Sequence, residues 1–72
     1  MIYVVKQWVT HPLHPKGFMK ISKIVGRDLK HAAEMLKIPE SNRRDIERTG
    51  KTVKVDPEGR RTEIEVIAEE KV

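Results

Sequence analysis

Seventy-two residues, 38% apolar and 36% charged, specify one small domain over residues 1–72 with a thin core, because a chain this short buries only about 60% of its unfolded surface. The absence of cysteine excludes disulfides, zinc ribbons and thiol catalysis. A net charge of +4 points to a polyanionic or acidic partner, and no apolar run approaches the roughly 18 residues of a membrane helix. Met1 to Lys6 has no basic region ahead of an apolar one, so no secretory signal is read and a cytoplasmic location is expected.

Ile2 to Thr10 holds Ile, Tyr, Trp and three Val and reads as a strand. Alternation puts Ile2, Val4 and Trp8 on one side and Tyr3, Val5 and Val9 on the other, which calls for burial on both sides or for partner contact on one. The strand is also expected to offer an unpaired edge. Pro12 and Pro15 bracket an extended or turning loop. From Phe18 to Leu36 the apolar residues Phe18, Ile21, Val25, Leu29, Ala32 and Leu36 fall in one helical sector, with Lys16, Lys20, Lys23, Arg27, Lys30 and Lys37 opposite. The spacing predicts helix over about 18–37, as one helix or as two broken near Gly26, with Asp28 as a cap for the second.

Pro39 ends that segment. A short helix over about 41–48 is expected, capped by Ser41 or Asn42 and closed by Gly50 as a left-handed C-terminal residue. Thr52 to Val55 and Thr62 to Val66 alternate around the turn Asp56-Pro57-Glu58-Gly59, predicting a hairpin over about 52–67. Val53, Val55, Ile64 and Val66 are expected inward, and one register sets Lys54 opposite Glu63. The class is α+β: strand, one or two helices, short helix, hairpin.

Catalytic and ligand motifs are missing. Gly50-Lys51-Thr52 resembles the end of a P-loop, but the glycine required at position 45 is Asp45. Lys16-Gly17-Phe18 continues with Met19 and Lys20 where an RNA-recognition motif needs a small residue and an aromatic. His11 and His14 stand three apart with His31 remote, which is not a metal-ligand set. Glu63 and Glu65 fall on one solvent face of a strand. No nucleophile–base constellation is present, so neither enzyme activity nor a metal or cofactor is expected.

Asp28-Leu29-Lys30-His31-Ala32-Ala33-Glu34-Met35-Leu36-Lys37-Ile38-Pro39 resembles the first helix and turn of the small winged helix-turn-helix proteins of the MerR and excisionase type, and the resemblance extends over residues 28–67. It implies that Ala32 and Ala33 admit a close second helix, Leu36 fills the core and Ile38 plugs the turn. Ser41 to Arg48 would be the recognition helix anchored by Ile46, and the hairpin would be the wing. The chain departs from the pattern at Lys37, where the turn usually has glycine, and at Arg43, where the recognition helix usually has its first buried apolar residue.

Two functions are compatible with these features. The first is a DNA-binding regulatory module on double-stranded DNA. Asn42, Arg43, Arg44 and Arg48 would face a groove, where Arg pairs with guanine and Asn with adenine. Lys20, Lys23, Arg27 and Lys30, or Arg60 and Arg61 at the wing tip, would contact phosphates. The second is a protein-binding inhibitor or adaptor. In size and layout, though not in sequence, the chain is similar to phage proteins of host takeover, and its basic stripe would meet an acidic host protein. Tyr3 and Trp8 on the first strand would be its interface anchors. A homodimer is expected from the first strand, and no membrane partner.

Overall fold

The computed structural model describes residues 1–71. The apolar N-terminal stretch forms strand β1 (Ile2–His11), and the chain reverses at Pro12-Leu13 into β2 (His14–Val25). Helices α1 (Leu29–Met35) and α2 (Glu40–Thr49) follow, and then the hairpin of β3 (Lys51–Val55) and β4 (Arg61–Glu70). All neighbours are antiparallel, in the order β2-β1-β4-β3. The α+β class and the coarse layout agree with the sequence reading. Among the described residues no helix is long and apolar enough to cross a membrane.

Three expectations are corrected. Residues 18–25 are not helical but form most of β2, which pairs with β1 from Ile2↔Val25 to Val9↔Phe18. Helix begins only at Leu29, beyond the break expected near Gly26. Both faces of β2 mix lysine with apolar residues, so its alternation is hidden, while Ile21, Ile24 and Val25 are β-branched residues suited to a strand. The basic helical stripe therefore does not exist: Lys20 and Lys23 point to opposite faces of the sheet. Next, β1 is not an edge. It lies between β2 and β4, and the sheet's edges are β2 and β3.

The third correction concerns the hairpin register. Lys54 pairs with Thr62, and Glu63 stands opposite Val53. Asp56 sets this offset: its Oδ1 accepts from the amides of Glu58 and Arg60, both at 2.9 Å, and Gly59 turns at φ 88°. Val55 then faces Arg61, so Thr52, Lys54, Thr62 and Ile64 share the helix side. Val53 and Val55, expected inward, lie on the other face and are exposed.

The core sits between one sheet face and the two helices. Tyr3 and Val5 of β1 and Ile64 of β4 meet Ala32 of α1 and Ile46 of α2, with Ile24, Leu29, Leu36, Ile38 and Val66 packed around them. Burial raises the pKa of the Tyr3 phenol, and the Glu69 and Asp28 carboxylates add to the rise.

Seven residues make a marginal helix, and α1 depends on its ends. At the N-terminus Asp28 Oδ1 accepts from the His31 amide at 2.8 Å, while His31 Nδ1 accepts from the Arg27 amide at 3.1 Å. His31 thus reaches back to the amide one residue before the Asp28 cap, so the two side chains together hold the start of the helix. At the C-terminus the Lys37 amide donates to Glu34 and the Ile38 amide to Ala33, the paired bonds of a Schellman turn. That turn puts Lys37 at φ 58°, a left-handed position held by a residue with a side chain. α2 starts at Glu40, before Ser41 and Asn42, with no side-chain cap; it ends on Gly50 at φ 84°, the left-handed closure expected.

Candidate nucleic-acid interface

The helices cover only part of their side of the sheet. Toward the end where both hairpins turn, no helix lies on that face, and it forms the floor of a cleft of about 1330 Å³, with Thr62 buried at its centre. One row of the floor runs across all four strands as Phe18, Val9, Thr62 and Lys54. Gln7 and Lys20 form the start of the next row. The two turns make the walls, with His14 and Lys16 on one side and Asp56 and Arg60 on the other. Gly17, at φ 67°, shapes the first wall: a Cβ there would overlap the Val9 carbonyl oxygen.

Four cations, Lys16, Lys20, Lys54 and Arg60, line the cleft, and Asp56 is its one carboxylate. The Oδ1 of Asp56 is taken by the two backbone amides of its own turn. Among the described residues, none of the four cations has a carboxylate oxygen within ion-pair distance; the ion pairs belong to Arg43, Arg44, Arg48 and Arg61. Phe18 adds an aromatic surface, 59% exposed.

Of the residues expected to read DNA from the second helix, Asn42 and Arg43 are committed within the fold, while Arg44 and Arg48 make only exposed ion pairs along the helix. Asn42 Nδ2 donates to Thr52 Oγ1 at 2.9 Å and to the Val53 carbonyl at 3.0 Å, and Thr52 Oγ1 in turn donates to Asp45 Oδ2 at 3.0 Å. This network ties α2 to β3. The Arg43 side chain is only 15% exposed and lies between Glu40 and Glu47. Arg44 pairs with Glu40 at 2.9 Å and Arg48 with Asp45 at 3.2 Å, both open to solvent. α2 thus carries three arginines and three acids, with each guanidinium matched.

The remaining candidates scatter. Lys20 and Arg60 are in the cleft. Lys23 lies on the opposite sheet face, as does Arg61, which pairs with Glu63. Arg27 and Lys30 are exposed around the start of α1. Trp8 is on the helix-free face, and Tyr3, expected at an interface, is in the core at 4% exposure, so its side chain joins no surface. His11 and His14 have ring centroids 6.3 Å apart, and no group of three metal-ligating side chains forms among the described residues.

Sequence reasoning missed Lys16, Lys54 and Phe18 as members of one site. The missing step was the register: a five-residue connection from Asp56 to Arg60 puts Lys54 on the helix side, beside Thr62 and one strand from Val9. The chain matches no family model, and neither curated proteins nor solved structures show similarity to it.

Proposed function

We propose that the protein is a small DNA-binding module without catalytic machinery, and that it holds the phosphate backbone of double-stranded DNA in the cleft between its two hairpin turns. The observation that carries the reading is the group of four cations, Lys16, Lys20, Lys54 and Arg60, unpaired among the described residues, against the single carboxylate of Asp56 in the same cleft. Phosphate supplies the anionic oxygens those cations lack, and each phosphate neutralised releases condensed counterions. A duplex fits better than a stacked single strand, because Phe18 is the one aromatic on the floor and sheet-type single-strand readers stack two or three bases. In this reading the residues that meet DNA are the cleft cations, rather than the arginines of α2 that a winged helix-turn-helix protein would use.

The test is a salt titration of duplex binding by fluorescence anisotropy. Lys20→Gln, Lys54→Gln and Arg60→Gln combined should weaken binding to every sequence alike and reduce the slope of log K against log salt by about 0.9 for each phosphate left unneutralised. Arg44→Gln with Arg48→Gln should leave both nearly unchanged. Absence of any duplex binding at low salt and micromolar protein would overturn the proposal, as would a reversed ranking of the two variants.

A further inference from the structure

The connection from β1 to β2 is Pro12 and Leu13, set between the paired residues His11 and His14. Loops this short are ordinarily built from Gly, Asn or Asp. Here the second residue is leucine. At 79% exposure it is the most open large apolar side chain among the described residues, and it lines the cationic cleft. Its backbone is held on three sides. The Pro12 ring fixes one dihedral angle, and His11 Nδ1 accepts from the Leu13 amide at 3.0 Å. Pro12 in turn rests on the other hairpin turn, where a Cβ at Gly59 would come within 3.1 Å of Pro12 Cγ. Leu13 is thus presented by a braced turn, and little backbone entropy is lost when it meets a partner.

The setting of Leu13 favours a polyanion. The first acid in the chain is Asp28, so the whole β1–β2 hairpin is free of carboxylates, and His11, His14 and Lys16 flank the turn. Lys16, Phe18 and Lys20 continue along the cleft side of β2. Phosphate by itself gives Leu13 no contact, because a hydrated anionic surface offers an apolar side chain nothing to bury against. The apolar surface of a duplex is the face of a base pair, which opens only where two neighbouring pairs are parted.

We infer that Leu13 is a wedge that enters between two base pairs from the minor groove and kinks the duplex held in the cleft. This rests on the duplex reading above and adds the state of the DNA, bent and parted at one step. Leucine is one of the side chains that part base steps in this way, at a cost offset by the contacts that the bent duplex makes. The cleft cations then hold the backbone beside the parted step. Leu13 has no hydrogen-bonding group, so it selects DNA by deformability and not by base identity. The favoured ligand is a duplex whose stacking is already weak, at a mismatch, a nick or a pyrimidine–purine step.

The experiment uses a duplex of about 24 base pairs with donor and acceptor dyes at its ends, intact or with a central two-base mismatch. Binding is followed by anisotropy and bending by energy transfer, both at low salt. The wild-type chain should raise energy transfer on the intact duplex. It should bind the mismatched duplex about tenfold or more tightly than the intact one, because stacking there is already lost. Leu13→Ala should bind the intact duplex without changing its energy transfer, and its preference for the mismatch should fall to about twofold or less. Its salt slope should remain that of the wild type, because every cleft cation is still present. Leu13→Met, an apolar side chain of similar volume, should bend DNA as the wild type does. Circular dichroism should be the same for all three chains, since Leu13 lies outside the core. A wild-type complex with unchanged energy transfer overturns the wedge and leaves duplex binding standing. Bending that persists in Leu13→Ala does the same. Absence of binding to either duplex overturns both readings.

Discussion

Asn42 separates a structural role from a reading role within one side chain. Its amide donates to Thr52 Oγ1 and to the carbonyl of Val53, and β3 is an edge strand, so that outward carbonyl has no strand partner. Replacing Asn42 by Ala removes both bonds. The Thr52 bond is partly buried, and its loss costs about 1 kcal/mol; the Val53 carbonyl is near solvent, where water takes over and the loss is about 0.5 kcal/mol. A destabilisation of roughly 1–2 kcal/mol corresponds to a melting point about 4–16 °C lower for a domain of this size. Thermal denaturation by circular dichroism measures it without DNA present. A double-mutant cycle with Thr52→Val isolates the shared bond, with a coupling of about 1 kcal/mol expected. A melting point within about 1 °C of wild type would refute the assignment of Asn42 to the α2–β3 junction, since it is well below the shift expected when even one of the two bonds is removed.

Two further outcomes are expected. Lys37→Gly should stabilise the chain by about 0.5–1 kcal/mol in urea denaturation, because relief of the left-handed side-chain strain exceeds the entropy that glycine adds to the unfolded chain. Tyr3, the single tyrosine, should ionise above its ordinary value of 10.0 when absorbance at 295 nm is followed in the folded state, and at its ordinary value in strong denaturant. The folded state holds that proton more tightly than the unfolded one. Its contribution is therefore full below the unfolded pKa and is lost as pH rises through the folded pKa, so stability should fall in alkali and not in this group's neutral range.

The parts of the fold legible in sequence are those where one local signal decides. Gly50 and the turn Asp56 to Gly59 can be placed from sequence because a left-handed residue and an Asx turn are local chemistry. Ala32, Ala33 and Ile46 are legible as packing residues because small and apolar side chains recur there at helical spacing. What sequence does not show is anything that depends on which face is covered. β2 escapes recognition because Met19, Ile21 and Val25 occupy a face with no helix on it, and Lys20 occupies a helix-side position that no helix reaches. The cleft escapes for the same reason: its floor is assembled from all four strands, and only the long-range register joins Phe18 to Lys54.

If β2 is a strand because β1 pairs with it, a peptide of residues 18–37 should show no helix over Phe18 to Val25, despite its good helical projection. Ile21, Ile24 and Val25 weaken a helix through their β-branched side chains, and Gly26 costs about 1 kcal/mol relative to Ala within one. The capping bonds of Asp28 and His31 are local, so any helical population should begin at Leu29; seven residues keep it small in water, because isolated helices shorter than about 12–15 residues are marginal. Cα chemical shifts read this residue by residue. Helical shifts confined to 29–36, with coil values before Gly26, are the expected result. Helical shifts through Lys20 to Ile24 would show instead that the segment prefers helix by itself, and that pairing with β1 has to override a local preference that β-branching and Gly26 fail to suppress.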